Sequence, residues 1–160
     1  MILKITTINY LVNHFVKANT SLELVAAFTV SNSMLPVSSL PKNIKNKINR
    51  PIPNIKRNSQ YPAVLVGQLA VFDSFAGKHI GDEILSFIKG WFIDPLNKTG
   101  CRYIIVDAAN HQKVIDFYQR NGFKFIFENI ADEIEYMKLD LEPEYKRTRL
   151  MYFDLIILKS

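Results

Sequence analysis

A strand-like apolar run, Leu65-Val66-Gly67-Gln68-Leu69-Ala70-Val71, is followed within ten residues by the bend Ala76-Gly77-Lys78-His79-Ile80-Gly81 and then by an amphipathic segment. A glycine-bearing bend between a strand and a helix start gathers free backbone N–H groups around one point. The helix dipole adds to them, so the chemistry on offer is the binding of an anion such as a pyrophosphate. Other reactive side chains are sparse. Asp73 and Asp107 each follow or close an apolar run and serve equally well as turn residues. Cys101 beside Gly100 reads as a small buried thiol rather than an acyl carrier. His14 and His111 have no ligand-spaced partners, so no metal site is expected.

The elements that must position the bend can be read along the chain. Residues 9–16 and 23–30 look like two strands joined as a hairpin. Ser38 and Ser39 precede Pro41, a helix opening with proline in its first turn, and residues 42–49 give a short helix with Ile44 and Ile48 on one face. Pro51 and Pro53 end that helix, and Pro62 marks entry to the strand leading into the bend. Ile80, Ile84, Leu85, Ile88, Trp91 and Phe92 supply the core face of the next helix, which Asp94-Pro95 breaks. Tyr103-Ile104-Ile105-Val106-Asp107 is a further buried strand, Asn110 a helix cap, and Val114, Phe117 and Tyr118 repeat at helical spacing until Asn121-Gly122 stops the turn. Residues 123–127 start another strand, 129–145 read as a loop with a short helix, and 148–158 form a last strand, apolar on both faces and so interior to a sheet.

That order of strand, glycine bend, helix, strand, Asn110, helix with Phe117-Tyr118, Gly122-Phe123 and strand resembles the GNAT superfamily of acetyl-CoA-dependent N-acetyltransferases, over residues 23–158. The resemblance implies an α+β domain spanning residues 1–160, with a mixed, splayed central sheet flanked by helices. It implies that the backbone of Leu69, Ala70 and Val71 pairs with the pantetheine arm of acetyl-CoA, and that Ala76, Gly77, Lys78, His79, Ile80 and Gly81 cradle its pyrophosphate. By the same likeness Asn110 matches a cofactor-contacting asparagine and Tyr118 the tyrosine that protonates the departing thiolate. The product would be an acetylated primary amine.

Pro51-Ile52-Pro53 and the run from Pro62 to Val71 look like the toxin branch, whose members acetylate the amino group of aminoacyl-tRNA and are held by a small DNA-binding antitoxin. Lys42, Lys45, Lys47, Arg50, Lys56 and Arg57, with no acidic residue among them, would track tRNA phosphates or else form a solvated face. That branch has Arg where this chain has Gln68. The superfamily's phosphate pattern has glycine where His79 stands, so an imidazole takes a glycine-like backbone conformation, crowds the anion, or donates a hydrogen bond to phosphate. Residues 1–8 are too short for the strand and two helices that wall the acceptor side, so a second copy forming a homodimer would supply that wall, or the chain is a shortened, non-catalytic remnant of the fold. A nucleic-acid-binding module without chemistry is a third reading.

Composition bounds these readings. At 160 residues the chain is one domain with an ordinary globular balance of 48% hydrophobic and 22% charged residues and a net charge of +5. No run is long enough for a membrane span, polar residues interrupt the first seventeen positions and argue against a signal peptide, and a single cysteine fits the reducing cytoplasm.

Overall fold

The computed structural model describes residues 7–13 and 24–158. Among these residues six strands form one mixed sheet in the order β1-β2-β3-β4-β6-β5. Strands β1 (Thr7–Asn13), β2 (Leu24–Leu35) and β3 (Tyr61–Val71) are antiparallel neighbours. β3 then pairs in parallel with β4 (Tyr103–Ala109), and the antiparallel strands β6 (Thr148–Asp154) and β5 (Lys124–Phe125) complete the edge. Helices α1 (Lys42–Asn49), α2 (Ile80–Ile93), α3 (Gln112–Arg120) and α4 (Ile130–Met137) cover the two faces.

The strict alternation of the central strands assigns those faces. Val64, Val66, Ile104, Val106, Met151 and Phe153 join Ile84, Leu85 and Ile88 of α2 and Ile115 and Tyr118 of α3 in one core. Their neighbours Tyr61, Ala63, Tyr103, Ile105 and Tyr152 join Ile44 and Ile48 of α1 and Phe127 in the other. Burial on both faces explains why these strands read as continuous apolar runs.

Several boundaries differ from the sequence expectation. β2 runs on to Leu35, because Ser31 through Leu35 stay paired with Leu65 back to Tyr61. The hairpin turn over residues 18–21 lies outside the described residues. Pro41 occupies the position before the first turn of α1 rather than a place within it, and the Ser39 hydroxyl donates to the Pro36 carbonyl at 2.8 Å instead of capping α1. The strand expected over 123–127 shortens to Lys124–Phe125. The last strand stops at Asp154, where the Asp154 carboxylate accepts from the Ile156 amide at 3.2 Å and turns Leu155–Leu158 into a 3-10 segment. The interior place expected for that strand holds, since β6 lies between β4 and β5.

The feature that makes a site is a fork between β3 and β4. Their pairing runs only from Ala63↔Tyr103 to Val66↔Val106, although β3 continues to Val71 and β4 to Ala109. Beyond the fork β3 remains bonded to β2 and β4 to β6, so each presents one unpaired edge to the gap. Gly67 sits where the strands part. Thr29 opposes Gln68 and Val30 opposes Val66, so Gly67 is the extra residue of a β-bulge. The Gln68 amide donates to Thr29 Oγ1 at 3.0 Å, and a Cβ on Gly67 would meet that same oxygen at 3.0 Å. A side chain at residue 67 would thus push against the group that stabilises the bulge.

Candidate functional site

A cavity of about 350 Å³ lies at the fork. Leu69 and Val71 of β3 form one wall, the bend through Phe75, Ala76, Gly77, His79, Ile80 and Gly81 forms its end, and Lys113, Val114, Phe117, Tyr118 and Arg120 of α3 form the other wall. Ala70 is exposed on the alternate face of β3, where its backbone but not its methyl belongs to the open edge.

The bend is shaped to collect amides. Gly77 has φ +77° and His79 φ +60°. The His79 carbonyl accepts the first helical bonds from Asp82 and Glu83, at 3.0 and 3.2 Å. Among the described residues the amides of Gly77, His79, Ile80 and Gly81 donate to no backbone carbonyl or side chain, which leaves four N–H groups at the positive end of α2. Gly81 has a packing reason as well, since a Cβ there would meet the Phe117 ring at 3.0 Å.

His79 resolves the question its position raised: it takes the glycine-like conformation. Its imidazole turns outward, 79% exposed, with Nδ1 3.1 Å from the Asp82 carboxylate. A left-handed backbone costs a non-glycine residue about 1–2 kcal/mol, and most for a β-branched one. His79 already carries that cost, so His79→Val is expected to lower unfolding free energy by only the β-branched excess, up to about 1 kcal/mol in urea titrations, with His79→Gly at least as stable as the native chain.

Asp82 ties the bend to α3. It accepts two bonds from Arg120, at 3.1 Å each, and one from Asn121 at 2.6 Å. The Arg120 guanidinium is the main reason its carboxyl is lowered to about 2, with Asn121 and His79 assisting and burial opposing. The pairing neutralises the one carboxylate that lines the cavity among the described residues, so it does not repel an anion entering the bend. Because the folded pKa lies below the ordinary 3.8, stability from ionised Asp82 is whole above about pH 4 and is lost as pH falls toward 2. Asp82→Asn should therefore be less stable than the native chain at pH 7, and the two melting temperatures should converge between pH 4 and pH 2.

Tyr118 is 9% exposed and lines the cavity. Phe117 and Phe123 pack edge-on against its ring, at centroid distances of 5.0 and 5.3 Å. Its hydroxyl has no partner among the described residues, and burial pushes the phenol above its usual range, so it stays protonated at neutral pH.

Other expected site residues lie elsewhere. Lys78 stands over the Phe75 ring at 4.9 Å and is absent from the cavity lining. Asn110 does not cap α3, whose N-cap position is His111; its side-chain amide donates to the Lys146 carbonyl at 2.8 Å, joining the end of β4 to the segment before β6. Asp73 sits in a 3-10 turn and Asp107 inside β4, and neither reaches the cavity. Cys101 is buried, and burial raises its thiol pKa. Among the described residues no group of three metal-ligating side chains occurs, and no helix is long and apolar enough to cross a membrane. Sequence reasoning missed Lys113, Asp82 and Arg120. The last two are thirty-eight residues apart and carry no local pattern. Gly67 did leave a signal, as a glycine inside a strand run marks a bulge.

No family model matches the chain, and no curated protein matches it. Solved structures do. The mixed, open sheet flanked by helices is an α+β, GNAT-like fold, and the matching structures share it. The chain is similar to the KacTA–DNA complex over 98% of its own length and 72% of that chain, at 18% identity and a TM-score of 0.53. It is similar to AtaTR bound with AcCoA over 95% of its length and 74% of that chain, at 16% identity and 0.54. AtaT complexed with acetyl-methionyl-tRNAfMet matches 85% of this chain and 65% of that one, at 17% identity and 0.54. The fold is thus that of the KacT and AtaT toxins.

Proposed function

We propose that the chain is an acetyl-CoA-dependent N-acetyltransferase acting on a primary amine, with the amino group of an aminoacyl-tRNA as its acceptor and a small antitoxin as its partner. The observation that carries the reading is the strand fork, with four free amides at one end and the unpartnered Tyr118 hydroxyl on its wall. Acetyl-CoA supplies an activated thioester. The open edge of β3 at Leu69, Ala70 and Val71 offers N–H and C=O groups to an extended amide-containing arm, as an added strand would use them. The amides of Gly77, His79, Ile80 and Gly81 suit a diphosphate, and Lys113 adds positive charge at the same mouth, where Arg120 is engaged by Asp82. Holding thioester and amine together removes the entropy of their encounter. Tyr118, kept neutral by burial, donates its proton to the sulfur as the carbon–sulfur bond breaks. No side chain is assigned as base; an accessible amine loses its proton to water.

Lys42, Lys45, Arg50, Lys56 and Arg57 are exposed, whereas Lys47 is half-buried and paired with Glu128 at 2.9 Å. The five exposed cations fit a polyanionic acceptor such as tRNA. The AtaT structures with acetyl-methionyl-tRNAfMet and with AcCoA support the same acceptor and donor. Incubation with acetyl-CoA and charged tRNA tests the reading. Acetylated aminoacyl-tRNA is the expected product. Transfer to polyamines or protein lysines alone would remove the tRNA acceptor, and calorimetry without any acetyl-CoA binding would leave the non-catalytic remnant as the better account.

A further inference from the structure

The fork has a second face. Val66, Leu69 and Val71 of β3 and Val106 and Ala108 of β4 turn toward α2, α3 and Tyr118. Strand alternation therefore puts Gln68, Ala70, Asp107 and Ala109 on the opposite face, and all four are exposed. The core on that side, with Ile44 and Ile48 of α1, gathers Ala63, Tyr103 and Ile105, which precede the fork, and leaves the fork itself open among the described residues.

Asp107 stands at the closed end of the gap. It directly follows Val106, the last residue of β4 paired with β3, as Gly67 follows Val66 on the other strand. Its neighbours on the same face are apolar, Leu150 across the strand pair and Ile105 before it. It has no hydrogen bond or ion pair among the described residues. A carboxylate inside an apolar strand runs against β preference, and no local contact offsets it; such breaks of a local rule concentrate at functional sites. Acetyl-CoA, held by its diphosphate at the bend and by its arm along Val71, Ala70 and Leu69, would bring its thioester toward this closed end. Tyr118 then meets the sulfur from the side that α2 and α3 cover, and an amine has the open face left to it.

We propose that Asp107 is the catalytic residue that takes the proton from the attacking amine on the face of the sheet opposite Tyr118. This rests on the acyltransfer reading and assigns a step that it leaves to water. The neutral amine forms the C–N bond at the thioester carbon, and its surplus proton passes to Asp107. The C–S electron pair leaves with sulfur, which takes the Tyr118 proton, and water returns the Asp107 proton to the tyrosine, so none is gained or lost.

Single-turnover transfer from acetyl-CoA tests the assignment, with bulk charged tRNA or spermidine as acceptor, whichever the native chain acetylates. D107N is expected to be about two to four powers of ten slower, at unchanged melting temperature and unchanged acetyl-CoA affinity by calorimetry. D107E should keep part of the rate, and formate, but not chloride, should speed D107A. An inward charge can also guard an open strand edge against mispairing, and D107K keeps that charge while removing the base. Native-rate transfer by D107N or D107K, a loss that appears as weaker acetyl-CoA binding, or no response of D107A to formate would each overturn the role of Asp107 and leave the acyltransfer reading standing. A native chain that transfers no acetyl group to either acceptor would overturn both.

Discussion

Tyr118→Phe should slow acetyl transfer by about one to four powers of ten while leaving acetyl-CoA affinity near that of the native chain. The asymmetry follows from what the substitution removes. The ring is wedged between Phe117 and Phe123, and phenylalanine keeps those edge-on contacts, so the wall of the cleft should be unchanged. The hydroxyl bonds to nothing among the described residues, so its loss breaks no internal contact and leaves no orphan behind. What disappears is a neutral proton donor whose protonated state burial protects. Calorimetry for affinity and single-turnover assays for transfer separate the two effects. Unchanged turnover would mean that water or another group supplies the proton; a parallel loss of affinity would mean the ring had moved.

Glu133→Gln should be the most damaging single change to stability, at about 3–5 kcal/mol in urea denaturation. Glu133 is fully buried on α4. It accepts from Arg149 Nε at 2.9 Å and from the Leu150 amide at 2.9 Å, and Lys146 Nζ lies 3.4 Å away. Lys146 and Arg149 are 5% and 6% exposed. Arg149 also donates to the Phe127 carbonyl at 2.7 Å and lies 4.4 Å over the Phe125 ring. The amide variant keeps the shape but leaves two buried cations without their counter-charge. The size of the loss reflects those stranded charges, not the net worth of the triad: simultaneous replacement of all three by apolar residues of similar volume should cost far less. Since a domain of this size has about 5–15 kcal/mol in all, the single variant should be marginal at 37 °C. A loss below about 1 kcal/mol would show that water reaches the cluster.

The route from sequence to site was uneven. Helix α1 was legible to the residue, because Ile44 and Ile48 at helical spacing lie between prolines that cannot continue a helix. The start of α2 is legible from its bend, whereas the glycine pattern that His79 interrupts leaves open which of its alternatives the residue takes, and the structure decides for the left-handed backbone. The interior position of β6 followed from its two apolar faces. Local propensity makes Asn110 a cap, but its side chain instead donates to the Lys146 carbonyl, thirty-six residues away. Apolar pattern alone carries the last strand past Asp154, because it does not reveal that the Asp154 carboxylate captures the Ile156 amide.

What the sequence determined by itself is everything that depends on neighbours along the chain: apolar periodicity, turn-forming residues and the order of elements, hence the fold and the tyrosine on its helix. What only the tertiary structure decided is where groups distant in the chain converge. The fork needs Thr29 to meet Gly67, the bend needs Arg120 to meet Asp82, and the buried charges of α4 and β6 need each other. Pair energies of that kind fall off within a few ångströms and leave no periodic trace, so three dimensions must be assembled before any of them exists.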